Sequence, residues 1–150
     1  MRAGMDGSEV VQVLSGRDHP VGITIDFEES RLFWTEYGGH IICSSALDGT
    51  DIFVVADSET ETDDGGLAVK YPWGIAVHND EVYWGNFHDN SLQRCSKWGG
   101  EIETLLTGQG HIQQLTTTQW NIPITRGNDC QGTDCGHICV LTPGSYSCVR

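Results

Sequence analysis

Apolar positions along this chain recur in short runs with a period near two, rich in β-branched and aromatic residues. One series reads Pro20-Val21-Gly22-Ile23-Thr24-Ile25-Asp26, Arg31-Leu32-Phe33-Trp34-Thr35-Glu36, Ile41-Ile42-Cys43-Ser44-Ser45-Ala46-Leu47 and Asp51-Ile52-Phe53-Val54-Val55. A second reads Pro72-Trp73-Gly74-Ile75-Ala76-Val77, Glu81-Val82-Tyr83-Trp84-Gly85-Asn86, Ser91-Leu92-Gln93-Arg94-Cys95 and Glu101-Ile102-Glu103-Thr104-Leu105-Leu106. Each run predicts a strand. Asp48-Gly49 and Gly99-Gly100 supply residues that tolerate the positive φ of tight turns. No apolar stripe of helical period has useful length, so the expected class is all-β.

The two series are one unit written twice. Trp34 and Trp84 are 50 residues apart, and Gly22 and Gly74 are 52 apart. Four strands in a period of ~40–50 residues is the arithmetic of one β-propeller blade. The pattern runs past both units. Met5-Asp6-Gly7-Ser8 with Glu9-Val10-Val11-Gln12-Val13-Leu14 matches the end of a preceding blade, and His111-Ile112-Gln113-Gln114-Leu115-Thr116 matches the start of a following one. About two full blades plus partial blades are therefore expected. The acidic insertion at residues 57–66 is expected to be a solvated loop between them.

Composition narrows the function. The chain has 150 residues, 21 Asp plus Glu against 8 Lys plus Arg, and a net charge of −13. Scattered basic residues argue against nucleic acid, which needs clustered Lys and Arg. No apolar run of ~18 residues predicts a membrane helix, and no signal-peptide core is visible at the start. Four of the six cysteines, Cys130, Cys135, Cys139 and Cys148, fall near the end with a density that suits disulfides and an oxidising compartment better than zinc. Spacing alone leaves three pairings open. Cys43 and Cys95 stand apart and are expected to be free thiols.

Phe33-Trp34-Thr35-Glu36 and Tyr83-Trp84-Gly85-Asn86 resemble the Tyr-Trp-Thr-Asp core of the class B repeats of the low-density lipoprotein receptor family. The Gly-Ile-x-(Ile/Val) strand and the Leu47-Asp48-Gly49 turn fit as well, and the resemblance covers roughly residues 5–120. It implies part of a six-bladed propeller over residues 1–127, followed by a small disulfide-rich, truncated growth-factor-like (EGF-like) module over 128–150. Asn128-Asp129-Cys130, Gly136-His137-Ile138-Cys139 and Pro143-Gly144-Ser145-Tyr146-Ser147-Cys148 resemble that module. Its pairing would join Cys130 to Cys139 and Cys135 to Cys148. In the family the motif Asp ties neighbouring blades. Here it is Glu36 and Asn86, and the motif Thr becomes Gly85, so the resemblance leaves the coupling of blades open at both repeats.

The function implied is that of an extracellular protein-binding module of a receptor-related protein, engaged in ligand uptake and release or in co-receptor signalling. The parent would be a single-pass membrane protein at the cell surface and in endosomes, with extracellular protein ligands. A secreted matrix protein of the nidogen kind is the alternative, and a propeller hydrolase a remote one. No catalytic motif is present, so no enzyme and no cofactor are expected. Calcium is not expected at the module either, because Arg126 and Leu141 stand where acidic or amide ligands would be needed. The family's acid-triggered release makes His40, His88 and His111 candidate pH sensors. Trp73, Trp98 and Trp120 lie outside the repeated Trp position and are candidate protein contacts.

Overall fold

A computed structural model describes residues 1–63, 65, 68–108 and 110–117, and the backbone of two late strands at 138–142 and 145–149. Strands β1 (Pro20–Asp26), β2 (Arg31–Glu36), β3 (Ile41–Ala46) and β4 (Phe53–Asp57) form one antiparallel sheet in the order β1-β2-β3-β4. Strands β5 (Pro72–His78), β6 (Glu81–Asn86), β7 (Leu92–Ser96) and β8 (Glu103–Leu106) repeat that order in a second. The repeat extends to register. Ile23 pairs with Trp34 as Ile75 pairs with Trp84, and the same bulge interrupts β1 and β5 just before these pairs. Each sheet is one blade.

The chain divides into two bodies. Residues 16–119 form the one that holds both blades. The other gathers residues 1–15 with 120–150. Its described parts are a turn at residues 4–8, a bridge between Arg2 and Val11, and a hairpin of β9 (Ile138–Thr142) with β10 (Ser145–Val149).

The core lies between the blades. Phe33, Ile42 and Val55 from the first sheet meet Ile75, Val77, Val82 and Trp84 from the second, with Ala68 and Val69 of the linker between them. Burying each large side chain contributes about 1.5–3 kcal/mol. Equivalent positions show what each face needs. Ile75 and Val77 are 4% and 9% exposed against the first blade, whereas their counterparts Ile23 and Ile25 are 68% and 42% exposed. On the far side of the second blade, residues 111–117 lie along β5. A cavity of about 370 Å³ remains there, lined by Ala76, His78, Tyr83, Leu92 and Leu115.

Four expectations need correction. The outer strand, expected at residues 51–55, runs over Phe53–Asp57 instead. The Asp48-Gly49 turn extends through Thr50, whose carbonyl accepts from Ala46 N at 2.9 Å, and Asp51 sits at φ 52°. Residues 9–14 form no strand beyond the single bridge at Val11. Residues 111–116 take the place of a first strand but not its ladder: Thr117 Oγ1 donates to Val77 O at 3.1 Å. The acidic insertion is not simply a solvated loop. Ile102 N donates to Glu61 O and Asp63 N to Ile102 O, both at 2.9 Å, which ties the insertion to the second blade.

Candidate functional site: an aromatic and histidine surface

The motif residues build the ends of the blades. Thr35 Oγ1 accepts from Gly22 N at 2.8 Å and donates to the carbonyl of Trp73, in the neighbouring blade, at 2.8 Å. Gly22 permits this approach, since an added Cβ there would run into the Trp73 carbonyl. In the second blade the Thr is replaced by Gly85, and the freed space is filled by Ile112, which a Cβ on Gly85 would meet at 2.6 Å.

The residues at the motif Asp position, Glu36 and Asn86, hold the segment that enters each blade. Glu36 accepts from Asp18 N at 2.8 Å and from Trp34 Nε1 at 2.9 Å. Asn86 accepts from Lys70 N at 3.0 Å and donates to Gln93 Oε1 at 2.6 Å and Ser91 Oγ at 3.0 Å. Glu and Asn thus do one job from equivalent positions. The shorter Asn86 has no oxygen left for its Trp, and Trp84 Nε1 is a buried donor without an acceptor among the described residues.

Directly after each clamp the chain emits an aromatic residue, Tyr37 or Phe87, whose backbone N–H is fixed on the entering segment. Tyr37 N donates to His19 O and Phe87 N to Tyr71 O, each at 3.0 Å. These two rings gather the rest. Tyr37 lies 4.8 Å from Tyr71 and 5.5 Å from Trp73, the latter edge-on at 87°. Trp73 lies 5.6 Å from Phe87, and His111 stacks on Phe87 at 4.3 Å and 10°. His40 meets Tyr71 edge-on at 4.3 Å, and His88 approaches it at 6.1 Å. Tyr71, His88 and His111 are exposed, and the others are half-buried. Seven rings from four separate stretches of chain thus form one amphipathic surface at one end of the blades.

The polar contact in this surface is directional. Tyr71 N donates to His40 Nδ1 at 3.1 Å, so that nitrogen carries no proton. Protonating His40 there would set two donors against each other and loosen Tyr71. Tyr71 and His40 both have positive φ, 50° and 53°, but so do their repeat counterparts His19 and Asn90, at 51° and 55°. The conformation therefore belongs to the repeat.

The residues singled out in the sequence separate into groups. His40, His88, His111 and Trp73 converge on the surface just described. Trp98 lies on the β7–β8 turn at the opposite end of the blades, and Trp120 lies outside the described residues. Phe33, Trp34, Thr35, Glu36, Trp84, Gly85 and Asn86 are buried, and Tyr83 is half-buried with its hydroxyl 2.7 Å from Glu81 Oε2. Cys43 and Cys95 are buried free thiols, and burial pushes both up to about 12. Cys139 and Cys148 stand directly opposite each other in the β9–β10 register, while Cys130 and Cys135 lie outside the described residues. Among the described residues no cluster of His, Cys, Asp or Glu is arranged for a metal ion. Tyr37, Tyr71 and Phe87 lie outside the repeat motif itself. Tyr37 and Phe87 carry a readable signal, an aromatic residue in phase immediately after the motif in both repeats.

Comparison with known proteins agrees with this architecture. No family model matches the chain. The mouse (Mus musculus) low-density lipoprotein receptor-related protein 5 is 29% identical over 99% of the chain, and its human (Homo sapiens) counterpart is 28% identical over the same share. The vitellogenin receptor Yl of Drosophila melanogaster is 27% identical over 98%. The chain spans only 9%, 9% and 7% of these relatives. Among solved structures, a chain of the nidogen/laminin complex superposes with a TM-score of 0.62 at 20% identity, covering 75% of this chain and 41% of that one. The chain is thus a propeller fragment, similar along almost its whole length to low-density lipoprotein receptor-related proteins and vitellogenin receptors.

Proposed function

We propose that this chain is a protein-binding segment of an extracellular receptor, and that it engages its ligand through the surface formed by Tyr37, Tyr71, Trp73 and Phe87 with His40, His88 and His111. The carrying observation is the convergence of these rings from separate loops on a frame that the repeat motif fixes. Rigid aromatic side chains supply contact area at low entropic cost. The sequence relatives are receptors, whereas the nidogen likeness speaks to fold alone, so the receptor reading is preferred over the matrix one. The activity proposed is binding, without catalysis or cofactor. The late cysteines and the β9–β10 hairpin support a growth-factor-like module after the propeller. Uptake by endocytosis in a membrane-anchored parent completes the reading.

Acid release fits the same surface. Imidazoles as a class gain a proton between neutral and endosomal pH. The bond from Tyr71 N to His40 Nδ1 needs that nitrogen as an acceptor. The test is surface plasmon resonance of the chain against vitellogenin, the ligand in the name of one relative. Binding at pH 7.4 that falls at least about tenfold in Tyr71→Ala, and falls comparably in the parent chain at pH 5.5, is expected. His40→Gln, which keeps an acceptor that does not titrate, should retain neutral-pH binding and flatten the pH response. Binding that ignores Tyr71→Ala and Phe87→Ala would overturn the assignment of the surface.

A further inference from the structure

At the opposite end of the blades, the turn after β7 departs from its repeat counterpart at both tip residues. Leu47-Asp48-Gly49 in the first blade becomes Lys97-Trp98-Gly99 in the second. Lys97 turns inward. Its Nζ lies 2.8 Å from Asp26 Oδ2 of the first blade and 3.7 Å from both Glu29 and Asp80, with its side chain 1% exposed. Trp98 turns outward and remains 50% exposed. The first blade makes the same turn with Asp48, so the fold does not require a large apolar ring at this tip.

The surroundings of Trp98 carry a specific charge pattern. Its ring lies 5.7 Å from the Arg31 guanidinium carbon and 5.9 Å from Lys97 Nζ. Both cations are already engaged: Arg31 donates to Asp51 Oδ2 at 2.6 Å and to Asp51 O at 2.9 Å, and Lys97 is held by Asp26. The carboxylates they leave facing solvent are Asp51, Asp80 and Glu29, whose side chains are 75%, 90% and 47% exposed. Phe53, 39% exposed, continues the apolar surface beside Gly99. An accessible indole with an acidic rim, on a chain of net charge −13, is complementary to a cation carried next to an apolar group.

We propose that Trp98, Phe53, Glu29, Asp51 and Asp80 form a second docking surface, which takes a basic segment of a partner protein. An Arg or Lys side chain would lie over the indole and meet Asp80 and Glu29, while an adjacent apolar residue covers Phe53. This surface is separate from the aromatic and histidine surface, so the two can be tested apart.

The probe is a fluorescently labelled tetra-arginine-leucine peptide, followed by fluorescence anisotropy against the whole chain at low salt. Trp98→Ala should weaken binding at least about tenfold, and Asp80→Asn roughly threefold with a shallower salt dependence. Trp98→Phe should retain most of the affinity. Tyr71→Ala, at the other end, and Glu61→Gln, an exposed carboxylate outside the proposed surface, should leave it unchanged. If Trp98→Ala lowers the melting temperature, Trp98→Phe and Asp80→Asn decide the matter. Equal affinity in the parent, Asp80→Asn and Glu61→Gln chains would mean diffuse charge attraction and would overturn the proposal.

Discussion

Thr35 shows how one hydroxyl links sequence motif to binding surface. It accepts from one blade and donates to the other, and the carbonyl it holds belongs to Trp73. Thr35→Val keeps the shape but leaves Gly22 N and Trp73 O without partners, at a cost of about 1–3 kcal/mol. Chemical denaturation should show that loss, with an unchanged slope. Cys43 and Cys95 are the free thiols that their isolation in the sequence implies, and both are buried. Burial first, then the negative charge of Glu36 for Cys43 and of Glu81 for Cys95, raises the thiols from 9.0 to about 12. The unfolded chain ionises them earlier. Their linkage to stability is therefore flat below pH 9 and turns destabilising as pH rises from 9 towards 12. Native protein should resist a thiol reagent at neutral pH and react fully in denaturant. Prompt reaction of the native chain at both cysteines would contradict their burial.

At the scale of elements, the blade was legible and its adjustments were not. Short β-branched and aromatic runs bounded by turn residues, repeated at the distance of 50 residues between Trp34 and Trp84, located all eight blade strands. The outer strand of the first blade slipped by two residues because Thr50 and Asp51 are spent on the turn and on Arg31. Gly85 looks in the sequence like a damaged motif, yet the missing side chain makes room for Ile112. Gly85→Thr, which restores the family residue, should therefore destabilise the chain by expelling residues 111–117. A raised melting temperature would refute this. Lys97 looks like an ordinary surface lysine in the sequence. Burial lowers its pKa, but the Asp26 hydrogen bond and the carboxylates of Asp26, Glu29 and Asp80 outweigh that and hold it above the usual value. Its contribution is complete below the ordinary lysine pKa and is lost only as pH rises beyond it. Lys97→Met strands Asp26 in a buried site and should cost about 3–5 kcal/mol. Asp26 keeps bonds from Glu28 N and Glu29 N, so the lower end of that range is expected.

At the scale of the molecule, stacked blades turn separate loops into one surface. His40, His88 and His111 stand out in the sequence by their chemistry alone, and the fold brings them to a single patch with Trp73. Tyr71 escaped notice because it precedes a strand, where no apolar periodicity marks it, and only the stacking of one blade on the next places it against Tyr37. The central claim is that this patch is the ligand face. Hydrogen–deuterium exchange of the chain with and without saturating vitellogenin tests it most directly. The account predicts slowed exchange at residues 37–40, 70–73 and 87–90, with no change in the buried core of β2 and β6. Absence of complex formation, or protection confined to other segments with these loops unaffected, would contradict it.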